Sequence, residues 1–382
     1  MIKKYLAVQD SLGTGGAERS NAELWDYLKK CNVQIKIIVL RHRIEGVEKE
    51  ILEKGFDVHF LQSGILMQQA KTIAKIIENF EPDIVHSVLF KASLRVRMAK
   101  LFTRFYHIES LVTMPYAKIR LNDPSANKFY IQIFRGIDLI SKYFGVDHFH
   151  ANGETVANHY FKKLRIKKSK ISVIPRGRKV NYCLDNPGVI GGLRNEFNSK
   201  NHIQIIHVAR HEYPKGQDIL LDAFGRLVNI KEKFKVLLVG RDGKLTKKIK
   251  HKIEEFGLGN SIHIVGHRGD IYELLASSDI FVFPSRFEGL PGALIEAEAA
   301  GLPIICSDIP NNLEVIEENR NALVFKNEDP VSLAENLNKL IMDKEKRLEM
   351  GKESLRIYKE RFQIETVNKR MLNLFIDLTS KY

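Results

Sequence analysis

The chain has 382 residues, of which 44% are hydrophobic, enough apolar material to fill two domains of ordinary size. No run approaches the roughly 18 apolar residues of a membrane span, and the first apolar run ends at Gln9, too early for a secretory signal. The three cysteines lie far apart without a Cys-x-x-Cys pair, so we expect no structural zinc and a reduced, cytoplasmic compartment.

Apolar runs of strand length alternate with amphipathic segments of helix length along the whole chain. In the first half the predicted strands are YLAVQ (5–9), VQIKIIVL (33–40), FDVHFL (56–61), DIVHSV (83–88), HIESLVT (107–113) and FHA (149–151). In the second half they are IQIIHVA (203–209), FKVLLVG (234–240), SIHIVG (261–266), IFVFPS (280–285), LPIICS (302–307) and NALVF (321–325). This alternation is typical of parallel sheets that are covered by helices on both faces.

The alternation lapses once, in the Pro- and Gly-rich segment 174–202. We therefore predict two doubly wound α/β domains, residues 1–180 and 181–360, and expect the helical stretch 361–382 to pack back on the first domain. In open α/β sheets ligands bind outside the carboxyl ends of the strands, so functional residues are expected just after strands, facing a cleft between the two sheets.

The formal net charge of +14 is concentrated in one part of the sequence. Residues 151–250 contain 22 lysines and arginines against 8 acidic residues, and the rest of the chain is neutral overall. A local positive field attracts anions such as nucleoside diphosphates, anionic lipid headgroups or nucleic acid. Its densest part, KKLRIKKSK (162–170), is also compatible with a solvated surface. Arg176 and Arg178, in the domain join, either extend an anion site or brace the linker.

The segment ANKFYIQIFRGIDLISKYF (126–144) is aromatic and aliphatic and long enough for a helix. Next to a basic region, such a helix is suited to lie on an anionic membrane surface. The alternative is a core or interdomain helix, which is the more common use of an apolar segment. The sequence leaves both interpretations open.

Glu288 and Glu296 lie eight positions apart in RFEGLPGALIEAEAAGLPII (286–305). Glu288 follows an apolar run typical of a central strand, and Pro291 suits the first position of the helix that comes next. Both carboxylates are therefore expected near the N-terminus of this helix, where free N–H groups and the macrodipole favour a phosphate. The alternative is a pair of surface glutamates on an ordinary amphipathic helix, as we expect for Glu298.

The segment EGLPGALIEAEAAGLPIICSD (288–308) resembles the E-x7-E signature of the retaining, nucleotide-sugar-dependent glycosyltransferases of family 4. The resemblance continues in GTGGAER (13–19), HVARHEYPKGQDILLDAF (207–224), VLLVGRDG (236–243) and IVGHRGDIYELLASSDIFVFPS (264–285). These motifs are specific when they occur together in this order. The resemblance implies a GT-B fold, with two facing Rossmann-like domains, the first for the acceptor and the second for the nucleotide sugar.

The resemblance also implies roles for individual residues of the second domain. Arg210 and Lys215 would bind the donor diphosphate, which agrees with the position of two cations just after an apolar strand. Glu288 would contact the transferred sugar, and Glu296 would accept hydrogen bonds from the ribose diol. Phosphate oxygens would be bound by the backbone N–H groups of Gly292, Ala293 and Leu294. The base would be flanked by Gly240, Arg241, His267 and Arg268.

The first domain matches the family less closely. Its glycine run does not satisfy G-x-G-x-x-G, because the third glycine is missing. In the family this loop lies by the donor phosphate and the acceptor, so Gly15 and Gly16 are predicted contacts, with a plain tight turn as the alternative. The Thr-x-His of many members is absent, and His86 is the preferred replacement, although a histidine at a strand end is more often structural. His107 and Glu109 are weaker candidates.

The implied reaction moves a hexose-type sugar from a nucleoside diphosphate to an acceptor hydroxyl with retention of anomeric configuration. Cations and helix N–H groups would stabilise the leaving diphosphate, so no metal and no cofactor are expected. The expected partners are the donor and a glycan or lipid-linked acceptor, with peripheral contact at the inner face of an anionic membrane. The alternatives are a nucleotide-sugar epimerase or hydrolase of the same fold, and a basic nucleic-acid-binding protein, for which no binding module is recognisable.

Overall fold

A computed structural model describes residues 2–43, 45–124 and 126–380. The chain divides into two units. The first unit comprises Met1–Lys118, Ala126–Gly177 and Ile364–Tyr382, and the second comprises Ile119–Ser125 and Arg178–Gln363. These units differ by only a few residues at the main boundaries from the ranges 1–180, 181–360 and 361–382 expected from the sequence.

The described part of the first unit contains a seven-stranded parallel sheet in the order β3-β2-β1-β4-β5-β6-β7. Its strands are β1 (Lys4–Gln9), β2 (Gln34–Val39), β3 (Asp57–Phe60), β4 (Ile84–Val88), β5 (His107–Leu111), β6 (His148–Ala151) and β7 (Ile171–Val173). The sequence did not predict β7. This strand has only three residues, all of them half-buried, and it directly follows a lysine-rich segment.

The described part of the second unit contains a six-stranded parallel sheet in the order β10-β9-β8-β11-β12-β13. Its strands are β8 (Ile203–Val208), β9 (Phe234–Val239), β10 (Ile262–Gly266), β11 (Ile280–Phe283), β12 (Ile304–Ser307) and β13 (Ala322–Phe325). All six overlap the runs that the sequence predicts. They are recognisable because strands buried on both faces are apolar almost without interruption.

The helices cover both faces of each sheet. They are α1 (Gly16–Lys30), α2 (Glu48–Glu53), α3 (Leu66–Phe80), α4 (Phe90–Ala99), α5 (Lys128–Gly145), α6 (Glu154–Leu164), α7 (Pro187–Glu196), α8 (Gln217–Gly225), α9 (Thr246–Glu255), α10 (Ile271–Ala276), α11 (Gly292–Ala299), α12 (Pro310–Leu313), α13 (Pro330–Met342), α14 (Lys344–Arg361) and α15 (Ile364–Thr379). None of the helices in the described ranges combines the length and the hydropathy needed to span a bilayer.

Alternate residues of the central strands enter two separate cores, as a doubly wound sheet requires. In β1, Tyr5 belongs to the core on one face and Leu6 to the core on the other. In β8, Ile205 and Ile206 are divided in the same way. The final helix α15 belongs to the first unit and adds Phe375 to the core that contains Tyr5.

A buried ion-pair network connects α4, β5 and α5 in the first unit. The Arg97 guanidinium donates to Glu109 Oε1 at 2.8 Å and to Asp138 Oδ1 at 2.6 Å, and all three side chains are almost completely buried. Burial raises the pKa of Glu109 to about 7, although the Arg97 charge acts in the opposite direction. Glu109, a weaker candidate for the catalytic position, therefore has a clear structural role.

The expectation that Glu298 is a surface residue was wrong. Its side chain is fully buried in α11, and Glu298 Oε1 accepts a hydrogen bond from Asn321 Nδ2 at 3.0 Å. Helix α11 is short and enclosed on nearly all sides, so a polar residue on its rear face has no route to solvent. Burial raises the pKa of this carboxyl well above its usual value.

Replacing Glu298 with glutamine is expected to remove a pH-dependent cost of folding. The folded chain keeps the Glu298 proton at pH values where the unfolded chain has released it, so stability falls as pH rises above the usual carboxyl pKa, by at most about 1.4 kcal/mol per pH unit. The melting temperature of E298Q should exceed that of the wild type, and the difference should grow between about pH 5 and pH 8. Differential scanning calorimetry at several pH values measures this difference. An E298Q difference that is independent of pH, as expected for the exposed control E335Q, would contradict the assignment.

Candidate active site

The loops that follow β8 and β11 begin at the same edge of the second sheet. These strands are neighbours, with Ile205 opposite Ile280 and Ile206 opposite Phe281. Because both strands run in the same direction, their carboxyl ends open onto the same side, where ligands bind in open α/β sheets. The topology therefore brings together two loops that are about 70 residues apart in the sequence.

These two loops meet through Lys215 and Glu288. Lys215 Nζ donates to Glu288 Oε1 at 2.6 Å, and both side chains are largely shielded from solvent. Lys215 ends a single 3-10 turn, Tyr213–Lys215, immediately before α8. The sequence predicted both residues for the site, and the structure brings them into direct contact.

Arg286 and Gly216 hold the same two loops together. The Arg286 N–H donates to the Pro214 carbonyl at 2.8 Å, and the Arg286 guanidinium pairs with Asp218 at 2.9 Å. Gly216 has a φ of +67°, and a Cβ at this position would lie 2.0 Å from the Pro284 carbonyl oxygen. No side chain fits there, because a backbone oxygen cannot move aside. Sequence reasoning missed Arg286 and Asp218 as supports. The signal available was an arginine directly after a central strand.

A buried ion pair between Arg178, from outside the helix, and Glu296, in its second turn, lies at the first half of α11. Arg178 Nε donates to Glu296 Oε1 at 2.8 Å, and the exposed fractions of the two side chains are 2% and 11%. A Cβ on Gly292 would lie 2.2 Å from Arg178 Nη2, so the guanidinium lies directly against the first residue of the helix. Arg178 therefore orients Glu296 and adds positive charge at this helix end.

The first N–H groups of α11 have no side-chain cap within the described residues, since Pro291 occupies the N-cap position and helix formation begins at Gly292. The sequence had placed Pro291 one position later, inside the helix. The first N–H groups of a helix have no intrahelical acceptor. Gly292, Ala293 and Leu294 thus present a helix terminus that can bind an anion.

The loop after β9 lies against the loop after β8. Gly240 has a φ of +153°, and a Cβ there would lie 2.0 Å from the Ala209 carbonyl oxygen and 3.2 Å from the Arg210 nitrogen. The His211 N–H donates to the Arg241 carbonyl at 3.1 Å. The structure thus joins Gly240 and Arg241 to the segment that carries Arg210, whose side chain is exposed.

The loop after β10 adds His267 and Arg268. His267 is exposed, and the Gly266 carbonyl accepts a hydrogen bond from the Gly240 N–H at 2.8 Å. The Arg268 guanidinium donates to Asp270 at 2.8 Å and to Glu196 at 2.7 Å, and these bonds raise its pKa. Arg268 is therefore bound by two carboxylates, and its predicted contact with a base stays a prediction.

In the first unit, Gly15 and Gly16 form the start of α1. Gly15 is the N-cap with an ordinary φ of −71°, and Gly16 is the first helical residue. Gly15 is exposed, and a Cβ on it would lie 2.3 Å from the Glu18 carboxylate, so an acidic side chain lies beside this glycine. The contact of this loop with a ligand stays a prediction.

His86 is part of a buried hydrogen-bond chain across four strands of the first sheet, β1, β4, β5 and β6. His86 Nδ1 contacts the Tyr5 hydroxyl, His86 Nε2 lies 2.6 Å from Ser110 Oγ, and Ser110 Oγ lies 2.7 Å from His150 Nδ1. His150 Nε2 bonds to the Ile174 carbonyl at 2.9 Å, so it must be the donor. In a neutral ring His150 Nδ1 is then the acceptor, so the Ser110 hydroxyl donates to it. Ser110 in turn accepts from His86 Nε2, and His86 Nδ1 accepts from the Tyr5 hydroxyl.

Both ring nitrogens of His86 are thus engaged, and burial lowers its pKa to about 3. A neutral histidine with both nitrogens occupied is not set up as a general base near neutral pH. The geometry favours the structural role that the sequence left open for His86. Together with His150, Asn152 and Arg176, His86 lines a pocket of the first unit.

The comparisons with known proteins cover both halves of the chain. The family described as Glycosyltransferase Family 4 matches residues 14–181, and the family described as Glycosyl transferases group 1 matches residues 193–356. The chain belongs to the family 4 glycosyltransferases. This confirms the resemblance found in the sequence motifs.

Two curated relatives match this glycosyltransferase over most of its length. The Campylobacter jejuni N,N'-diacetylbacillosaminyl-diphospho-undecaprenol alpha-1,3-N-acetylgalactosaminyltransferase is 26% identical over 319 residues, which is 81% of each chain. The capsular polysaccharide biosynthesis glycosyltransferase CapH of Staphylococcus aureus is 25% identical over 349 residues, which is 89% of this chain and 91% of CapH.

The crystal structure of Anabaena Alr3699/HepE in complex with UDP-glucose matches this chain with a TM-score of 0.84 over 100% of both chains, at 20% identity. Likeness at this level of identity concerns the fold. It agrees with the two parallel-sheet α/β units, and the predicted GT-B fold is confirmed.

Proposed function

We propose that this glycosyltransferase transfers a hexose-type sugar from a uridine diphosphate sugar to a hydroxyl of a glycan or of a lipid-linked glycan precursor. The observation that carries the proposal is the pair of ion pairs around α11, Lys215 with Glu288 and Arg178 with Glu296. They place cations and carboxylates near a helix N-terminus. A nucleotide sugar requires this arrangement, because its diphosphate lies between two hydroxyl-bearing groups, the ribose and the sugar. The bound UDP-glucose of the Anabaena protein supports the choice of nucleotide.

Lys215 and Glu288 can act on the donor together. A lysine ammonium has three N–H donors, and the contact with Glu288 uses one of them. We assign the others to oxygens of the donor diphosphate, beside Arg210 and the N–H groups of Gly292, Ala293 and Leu294. Glu288, held in place by Lys215, accepts hydrogen bonds from hydroxyls of the transferred sugar.

Glu296 is assigned to the ribose. A carboxylate can accept about four hydrogen bonds, so the bond from Arg178 leaves capacity for the two ribose hydroxyls. The buried guanidinium holds the carboxylate in one orientation, which reduces the ordering cost of binding. Gly240, Arg241, His267 and Arg268 remain the proposed surroundings of the base.

In the proposed reaction the bond between the anomeric carbon and the diphosphate oxygen breaks, and its electron pair stays on the diphosphate. The acceptor oxygen forms the new bond on the same face of the sugar, and its proton passes to the leaving phosphate oxygen. The configuration at the anomeric carbon is therefore retained, and no second carboxylate is needed as a base, in contrast to retaining hydrolases. NMR of the product anomer tests this part of the proposal.

The same arrangement supports a reaction without a divalent metal. Charge develops on the diphosphate as the bond breaks, and Arg210, Lys215 and the end of α11 provide positive potential for it. We further propose a cytoplasmic enzyme in contact with the inner face of the membrane, where a lipid-linked acceptor would be found. The acceptor of the Campylobacter relative, a diphospho-undecaprenol glycan, supports this class of acceptor.

Thermal shift with UDP, UDP-sugars and uridine tests the donor site. A ligand that binds only the folded chain stabilises it by about 2.7 kcal/mol at a concentration 100 times its Kd. We expect UDP and at least one UDP-sugar to raise the melting temperature by several degrees, and uridine, which lacks the diphosphate, to raise it much less. The E296A variant should lose most of the UDP shift. No shift with any nucleoside diphosphate, or an equal shift in E296A, would overturn the donor assignment.

A further inference from the structure

Helix α5 of the first unit is oriented opposite to an ordinary surface helix. Its buried residues are Asp138, Lys142 and Gly145. Most of its large apolar side chains are exposed, whereas Ile131 and Leu139 pack against the core. Six of the exposed ones we call the apolar face: Phe129, Tyr130, Phe134, Ile140, Tyr143 and Phe144. Soluble domains bury such side chains on the core side of a helix, so an exposed strip of this size indicates an apolar partner. The interpretation as a core helix does not hold for this face.

Polar contacts on the inner side fix this orientation. Asp138 accepts hydrogen bonds from Arg97 at 2.6 Å and from the Tyr116 hydroxyl at 2.8 Å, and Lys142 donates to the Leu164 carbonyl. Gly145 lies so close to Arg97 that a Cβ would be 2.5 Å from its Cα. Rotation of α5 to bury the apolar face would break a buried ion pair and leave its charges without partners, which is strongly unfavourable.

A run of cations lies beside the apolar face. The contacts of Lys142 and Arg135 with the carbonyls of Leu164 and Lys163 attach the end of α6 to α5. The segment 162–170 that begins there, the basic run, exposes five cations: Lys162, Arg165, Lys167, Lys168 and Lys170. Over the described segments 126–146 and 160–170 the only acidic residue is Asp138, and it is buried.

The charge pattern distinguishes among apolar partners. In a twofold dimer the same patch would face itself and would bring the two basic runs together, and like charges repel. An anionic bilayer can bind both the apolar face and the basic run. Aromatic rings are stable at the level of the headgroups, and lysines are attracted to the negative surface. The mixture of Ile, Phe and Tyr with a cation-rich border fits this environment.

We propose that the apolar face of α5 and the basic run form a docking surface for anionic lipid bilayers. The purpose of the contact rests on the proposed function, since it would bring the enzyme to a lipid-linked acceptor. The binding itself involves neither the donor nor the acceptor. It is reversible and peripheral, with aromatic side chains inserted at headgroup depth and lysines bound electrostatically.

Flotation of the full chain with phosphatidylglycerol-containing vesicles and with phosphatidylcholine vesicles tests the surface. We expect binding to the anionic vesicles, weaker binding at high salt, and little binding to the neutral ones. The double variant Y143S/F144S and the triple variant K167Q/K168Q/K170Q should each bind anionic vesicles about tenfold more weakly. The matched control variants are L348S and K344Q, which change exposed residues of the second unit.

Equal binding of the wild type and both surface variants would overturn the proposal, as would failure of the wild type to float. A dimer in sedimentation velocity that Y143S/F144S abolishes, without vesicle binding, would assign the face to a second copy instead. The UDP thermal shift, measured on the same variants, separates this inference from the donor site. A protein that responds to UDP but does not float contradicts only the docking surface, and one that floats without a UDP response contradicts only the donor assignment.

Discussion

Replacing Lys215 with alanine should lower kcat by about 100- to 1,000-fold while leaving the fold intact, since removal of one charge-stabilising donor from an active site has effects of this size. Lys215 is proposed to stabilise the leaving diphosphate and also holds Glu288 through the 2.6 Å ion pair. Because charge on the diphosphate grows as the bond breaks, the loss should fall on kcat more than on KM. Initial rates with radiolabelled donor measure both parameters.

The control for this prediction is K247A, which removes an exposed lysine of α9. It should retain wild-type kcat, and both variants should melt within a few degrees of the wild type. The conservative variant K215R should recover part of the activity, because a guanidinium keeps the charge but not the shape of an ammonium. Near wild-type turnover of K215A would remove Lys215 from the proposed mechanism.

Replacing Arg97 with methionine should destabilise the first unit by about 3–5 kcal/mol, the range found when one partner of a buried ion pair is removed. Methionine fills much of the same volume, but Glu109 and Asp138 would be left as buried carboxyl groups without a counter-charge. Burial already raises the pKa of Glu109, so without the Arg97 charge this carboxyl would bind a proton on folding, and the loss should grow as pH rises above the usual carboxyl pKa. Urea unfolding, followed through the transition of the first unit, measures the change.

The matched control is R104M, which removes an exposed arginine of the same unit. It should lower the free energy of unfolding by only about 0.5 kcal/mol. The triple variant R97M/E109Q/D138N, in which all three charges are removed, should recover a large part of the stability. A loss for R97M as small as that of R104M would show that the network does not hold α4, β5 and α5 together. It would also weaken the argument that this network sets the orientation of α5.

The sheets of both units could be predicted because buried parallel strands are continuous apolar runs, as β8 and β11 are. The same rule could not find β7, whose three residues are only half-buried. That Lys215 and Glu288 belong to the same site could be predicted, since the motifs place both just after strands. The pair formed by Arg178 and Glu296 was not, because 118 residues separate its members and no local pattern connects them.

The orientation of α5 could not be read from its composition. The helical periodicity shows that apolar and polar residues lie on different faces, but it does not say which face is inward. Here the ion pair between Arg97 and Asp138 decides, and its partners are 41 residues apart. His86 presents the same difficulty, because its hydrogen bonds to Tyr5 and Ser110 come from neighbouring strands of the sheet.

A crystal structure of the full chain with UDP tests the donor site most directly. We expect phosphate oxygens within hydrogen-bond distance of the N–H groups of Ala293 and Leu294 and of Lys215 Nζ, and the ribose hydroxyls on the Glu296 carboxylate. A nucleotide bound elsewhere on the chain, or one whose ribose makes no contact with Glu296, would contradict the account.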